Sequence, residues 1–261
     1  EVQIYFHMIL CGNFASYLGC KTNDTASRVP SPQPNSMHSR SDRCQVKVAS
    51  TPSSRYAKPM TFTKDLAQLG KLIATSHGWP AAKAFKAYKI TDKDSAVLST
   101  CAVNLLKIFP RSQGDGALLS AAFAVQLEQP LDAPIHVVAG TLTVKGEPVF
   151  GGRSYLSGTA TFGTEDHDGD SHIWIMVGAN IVDISLFRTA YSPSAPVRLS
   201  RHIDLTFGPN KGLYVDHWKR TKQLGLGYEP QYVLNANQVT DLMGSAYRAI
   251  RKHQEMNTNR R

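Results

Sequence analysis

The stretch that most limits what this chain can fold into is "SHIWIMVGANIVDISLF", residues 171–187. Two short apolar runs rich in β-branched residues flank Gly178-Ala179. A glycine at the first central position of a two-residue loop supplies the positive φ that a tight β-hairpin needs. That turn pairs Val177 with Asn180 and so sets Trp174 opposite Asp183. His172 then falls one diagonal step from Asp183 on the same face of the ribbon, within reach of two long side chains. The side-chain period of a strand is two, so a slip of one residue would separate them. A carboxylate that holds an imidazole in one tautomer is the orienting half of a catalytic triad. The plainer alternative is a surface histidine and a strand-end aspartate.

Upstream of the hairpin, "GDGALLSAAFAVQLEQP" reads as a turn feeding a helix over about 117–129, with Asp115 as its cap and Pro130 beyond its end. Leu118, Leu119, Ala121, Ala122, Phe123, Ala124, Val125 and Leu127 leave no polar face, so this helix belongs inside a core. Two amphipathic helices precede it, in "TKDLAQLGKLIATSHGW" and in "SAVLSTCAVNLLKIF", the latter stopped by Pro110. Strands are expected at "IHVVAGTLTV", at "VFGG" after the turn "KGEP", along both arms of the hairpin through "NIVDISLF", and more weakly at "RHIDLTFG" and "QYVLN". A last amphipathic helix is expected at "NQVTDLMGSAYRAIRK". Helices followed by an antiparallel sheet make an α+β domain, placed at 61–253.

Taken in order, the helix text "GALLSAAFAVQL", the strand text "APIHVVAG" and the hairpin text "HIWIMVGANIVDIS" resemble the transglutaminase-like branch of the papain-like cysteine hydrolases over about 110–187. The resemblance implies a papain-like (transglutaminase-like) fold, a buried helix packed on an antiparallel sheet, and a cysteine-dependent hydrolase or acyl transferase acting on amide bonds: protease, amidase, deamidase or transglutaminase. It assigns His172 as base, Asp183 as its orienter and Ala117, give or take one residue, as the nucleophile position. It assigns Gln113 as a second oxyanion donor beside the backbone of residue 117, and Gly116 and Trp174 to the substrate cleft, where Trp174 walls the cleft or packs against the imidazole, the plainer alternative being core filling. The departure is Ala117, where the family carries cysteine. Either an inactive Cys-to-Ala variant has been captured, the favoured expectation, or a natural relative has become a catalytically dead binding module. Cys101 is the alternative nucleophile, although a cysteine in the middle of an apolar helix usually behaves as a small hydrophobe and lacks a helix N-terminus to favour its thiolate.

The remaining signals bound the partners. "EDHDGDSH" carries Asp166, His167, Asp168, Asp170 and His172, which opens a third reading, a metal-dependent hydrolase using the loop 165–172; its glycine is misplaced for a calcium-binding loop. No metal or other cofactor is expected, and "GLGYEP" does not read as a nucleotide motif. Four cysteines without a CxxC pair are not a disulfide scaffold. The net charge of +9 gathers outside the core, largely in a Ser-, Pro-, Asn- and Arg-rich leader and in the basic tail 254–261. Such a leader cannot bury enough apolar surface to offset its ordering entropy, so residues 1–60 read as a tag remnant and flexible basic segment. With no zinc-finger spacing and no RNA-binding aromatic motif beside the charge, a protein or peptide substrate is expected rather than nucleic acid. No run of about 18 apolar residues is present, so no membrane span is expected. The localisation expected is the cytoplasm or that of a secreted effector; "MILCGNFASYLGC" leaves a lipoprotein signal ending at Cys20 as the alternative.

Overall fold

A computed structural model describes residues 63–111, 114–151 and 171–258. Among the described residues three helices come first: α1 (Thr63–Ala87), α2 (Asp92–Ile108) and α3 (Gly116–Leu127). Helix α1 bends at Gly78, whose φ of 85° no helix can hold, just before Pro80. Helix α2 starts on a reciprocal capping box, Thr91 accepting from the Asp94 N–H and Asp94 accepting from the Thr91 N–H. It stops where Phe109 turns extended, as the residue before a proline must.

The sheet follows: β1 (Ile135–Val144), β2 (Glu147–Phe150), β3 (His172–Val177) and β4 (Asn180–Asp183). The short helix α4 (Leu186–Ala190) and helix α5 (Val197–Phe207) lead to β5 (Tyr214–His217), α6 (Trp218–Gln223), β6 (Leu226–Val233) and the long α7 (Ala236–Thr258). All five strand pairings are antiparallel. Strand β1 is long enough to serve two edges: β6 lies along one, and β3 and then β2 share the other. From β3 the sheet continues through β4 to β5. The result is a curled antiparallel sheet with helices packed on it, an α+β domain.

Two departures from the sequence expectations have simple causes. "RHIDLTF" is helix, not strand. In α5, Leu199, His202 and Ile203 are buried while Val197, Arg201 and Asp204 face out, which is a helical period overlooked in a short window. The second arm of the hairpin ends at Asp183 instead of running through Phe187, because the Asp183 carboxylate takes the backbone N–H groups of Ser185 and Leu186 and turns the chain into α4. Strand β5 gave no sequence signal that was read, and β6 begins upstream of "QYVLN", taking in the Leu226–Pro230 part of "GLGYEP". The tight turns are as expected: Gly178 carries positive φ at the start of the β3–β4 loop, and Lys145 and Gly146 both do so between β1 and β2.

One face of the sheet builds the main apolar cluster. Val138, Leu142 and Val144 of β1, Trp174 and Met176 of β3, Ile181 and Tyr228 meet Leu69, Ile73 and Phe85 of α1, Phe187 of α4, and Leu199 and Ile203 of α5. The apolar side chains of α3 lie outside this cluster. Helix α3 is held to β3 by Ser120, whose hydroxyl donates to the Ile173 carbonyl at 3.0 Å. Among the described residues no helix is long and apolar enough to cross a membrane.

Candidate functional site

The register is the expected one: Val177 opposite Asn180 and Ile175 opposite Val182. It delivers the expected pair. His172 Nε2 lies 2.6 Å from Asp183 Oδ2, with His172 6% and Asp183 0% exposed. The hairpin alone does not build the site. Oδ2 also accepts from the Tyr228 hydroxyl of β6 at 2.8 Å, and Oδ1 accepts three bonds of 2.9 Å, from the Ser185 N–H, the Ser185 hydroxyl and the Leu186 N–H. Five donors thus converge on one buried carboxylate. Burial alone would raise the pKa of Asp183; the charge of His172 and the bonds from His172, Tyr228 and Ser185 outweigh it and hold the group below the ordinary carboxylate range. An ionised carboxylate can only accept, so His172 donates through Nε2 and, when neutral, carries its lone pair on Nδ1. That atom has no hydrogen-bond partner among the described residues. The tautomer follows from the network around it.

Aromatic rings fix the imidazole plane. Phe150 and Trp174 both stack on it, at 5.8 and 6.2 Å between centroids and within about 22° of parallel, and Tyr228 tilts against it at 5.9 Å. Phe150 arrives by a bulge: Thr143 pairs with Pro148 and Leu142 with Phe150, so the extra residue Val149 moves Phe150 onto the face that carries His172. Gly140 makes the other allowance. It sits directly opposite His172 on β1, where a Cβ would lie 2.0 Å from the Glu229 carbonyl oxygen and 3.0 Å from the Trp174 ring. No side chain fits there.

The first turn of α3 reaches this network at Gly116. A Cβ on Gly116 would sit 3.5 Å from the Ser185 Cβ and 3.6 Å from its hydroxyl, ordinary contact distances. Ser185 in turn bonds Asp183. Gly116 and Ser120, four residues apart, share the helix face turned to β3 and to the chain that follows β4. Ala117 is about 100° further round and partly exposed. Asp115 stands at the cap position, but its side chain makes no capping bond to the helix.

The other candidates separate. Trp174 is fully buried, so it meets the site through the His172 ring and is no open cleft wall. Cys101 sits 8% exposed in the middle of α2. His217 is exposed, as expected of a surface residue. Gln113 and the acidic loop residues Asp166, His167, Asp168 and Asp170 lie outside the described residues. Among the described residues no three His, Cys, Asp or Glu side chains cluster as a metal site. Sequence reasoning missed Tyr228, Phe150 and Ser185. The first two come from strands that pair out of sequence order or through a bulge, while the serine beside a turn-forming aspartate was open to reading. Comparison with protein-family models, with curated proteins and with solved structures finds no match.

Proposed function

We propose that this domain carries the base-and-orienter half of a papain-like (transglutaminase-like) cysteine hydrolase or acyl transferase acting on amide bonds, in a sequence that lacks the thiol. The observation behind this reading is the 2.6 Å bond between His172 and a five-donor Asp183 beside the start of α3. In the complete mechanism, Nδ1 of His172 would take the proton of a thiol at the helix start, and Asp183 would hold the imidazolium that forms. The thiolate would gain from the helix N-terminus and attack an amide carbonyl, and the N–H groups of the first turn would receive the oxyanion. The C–N bond would then break as the His172 imidazolium returns its proton to the departing amine, and the acyl group left on sulfur would pass to water or to a second amine.

The test is to restore sulfur. Ala117→Cys and Gly116→Cys are each treated with iodoacetamide in the intact chain, and alkylation at each cysteine is followed by mass spectrometry. At neutral pH one of the two new thiols should react at least about tenfold faster than the same thiol placed in a chain without the His172 imidazole. His172→Gln supplies that chain. Two folded variants without any gain would end the hydrolase reading.

A second reading, a binding module for a protein or peptide, is favoured by the residues at the helix start themselves: glycine at 116 and alanine at 117 offer no nucleophile. It expects inert cysteine variants together with saturable capture of a peptide from a mixed library, lost when Phe150 is replaced by alanine.

A further inference from the structure

We propose that Tyr228 is a positioning residue of the dyad: by sharing Oδ2 of Asp183 with His172, its hydroxyl sets how strongly the carboxylate holds the Nε2 proton of the imidazole.

The geometry leaves the hydroxyl little else to do. Tyr228 is 1% exposed, and the bond to Asp183 is the one hydrogen bond its hydroxyl makes among the described residues. Its ring packs on three aromatic neighbours, edge-on to Trp174 at 5.1 Å, parallel to Tyr214 at 6.4 Å and tilted to His172. Phenylalanine would fill that space equally well and bury no polar atom. The hydroxyl therefore matters through Asp183. Oδ1 is already committed to three donors from the turn into α4, which fixes the orientation of the carboxylate. The two remaining donors, from β3 and β6, compete for the charge on the other oxygen. A carboxylate that gives part of its charge to a phenol attracts the imidazole proton less. Burial and the neighbouring Asp183 charge push the Tyr228 phenol far above its ordinary pKa, so it stays a donor at every working pH. The other titratable side chain in ring contact with Tyr228 besides His172, Tyr214 of β5, spends its hydroxyl on Thr221.

This inference takes its functional meaning from His172 as a base, but its test needs no thiol. In the full chain labelled with ¹⁵N-histidine, the Nε2 proton of His172 is assigned through its loss in His172→Gln. In Tyr228→Phe that resonance should move downfield, as the bond to Asp183 tightens. In Tyr214→Phe, which removes a hydroxyl from the same ring stack without touching Asp183, it should stay. An unmoved resonance in Tyr228→Phe, or equal movement in both variants, overturns the proposal. Should Tyr228→Phe fail to fold, 3-fluorotyrosine placed at 228 supplies a more acidic phenol and a stronger donor. The resonance must then move upfield, and no movement is again a refutation. Cysteine variants that stay unreactive would remove the hydrolase reading and leave this result standing.

Discussion

His136 should make the fold acid-sensitive well above the pH at which carboxylates protonate. It sits on β1, 6% exposed, with its ring 5.1 Å from that of His77 and 5.9 Å from that of Phe85, both on α1. Neither ring nitrogen has a hydrogen-bond partner among the described residues. Burial, and next the proximity of His77, lower its pKa from 6.5 to about 4. The folded protein thus keeps the ring neutral where the unfolded chain would protonate it. The stability this represents is complete above pH 6.5 and is lost as the pH falls toward 4. Linkage gives a loss of about 2 kcal/mol by pH 5 and about 3.4 kcal/mol below pH 4. The perturbation is His136→Leu, which keeps a side chain of similar bulk and has nothing to protonate. Urea unfolding of both proteins at pH 7.5 and pH 5 isolates the effect, because acid-sensitive groups common to the two cancel. The unsubstituted chain should lose about 2 kcal/mol more than the variant between these pH values, equivalent to roughly 4–8 °C in Tm for a domain of this size. Equal losses in the two proteins would refute the argument that burial holds this ring neutral.

Two glycines near the dyad should respond in opposite ways to a single methyl group. Gly140→Ala drives a Cβ to within 2.0 Å of the Glu229 carbonyl and should cost about 3 kcal/mol or leave no soluble protein, which expression and thermal melting will show. Gly116→Ala meets only ordinary contacts at Ser185 and should change stability by anything from zero to a gain of about 1 kcal/mol in the same melts; a clear loss would mean that the start of α3 is closed to side chains, and that would weigh against Gly116 as a nucleophile position.

The sequence made the hairpin legible because it is local. The turn glycine fixes the register, and the two-residue side-chain period of the strands then sets His172 and Asp183 on one face. The same is true of α3, whose lack of any polar face states its burial outright. Legibility fails where the partner is distant or the backbone breaks its own period. Tyr228 lies 45 positions from the carboxylate it serves, and nothing in "GLGYEPQYV" shows that this strand will lie along the second edge of β1. Phe150 reaches His172 through a bulge, and a bulge shifts side-chain parity without any composition cue beyond the proline at 148. The error over "RHIDLTF" has the same root. Within seven positions Ile203, Leu205 and Phe207 alternate as a strand would, yet Leu205 is exposed while Leu199, His202 and Ile203 pack inward, a helical set that needs a longer window to be seen.

Asp183 performs two tasks with two oxygens, and they can be pulled apart. Oδ1 is structural: it takes the Ser185 and Leu186 N–H groups and starts α4, much as a cap residue does. Oδ2 belongs to the dyad. Asparagine can keep the first task, since its amide oxygen still accepts at the turn, while its NH2 group replaces Oδ2 and now points donors at His172 and Tyr228. The phenol can rotate to accept. The imidazole must take the other tautomer, accepting at Nε2 and carrying its proton on Nδ1, the atom a base would need free. Asp183→Asn should therefore cost only about 1 kcal/mol, while ¹⁵N shifts of His172 report the exchanged tautomer and any reactivity gained in the cysteine variants falls at least about tenfold, the wrong-tautomer effect expected of such a pair. Asp183→Ala satisfies neither oxygen's partners and should cost about 3 kcal/mol or more, with several buried donors left unpaired. If the asparagine variant were as unstable as the alanine one, or if His172 kept its tautomer in it, the division of labour between the two oxygens would be wrong, and the pair would be a buried structural bridge with no base to offer.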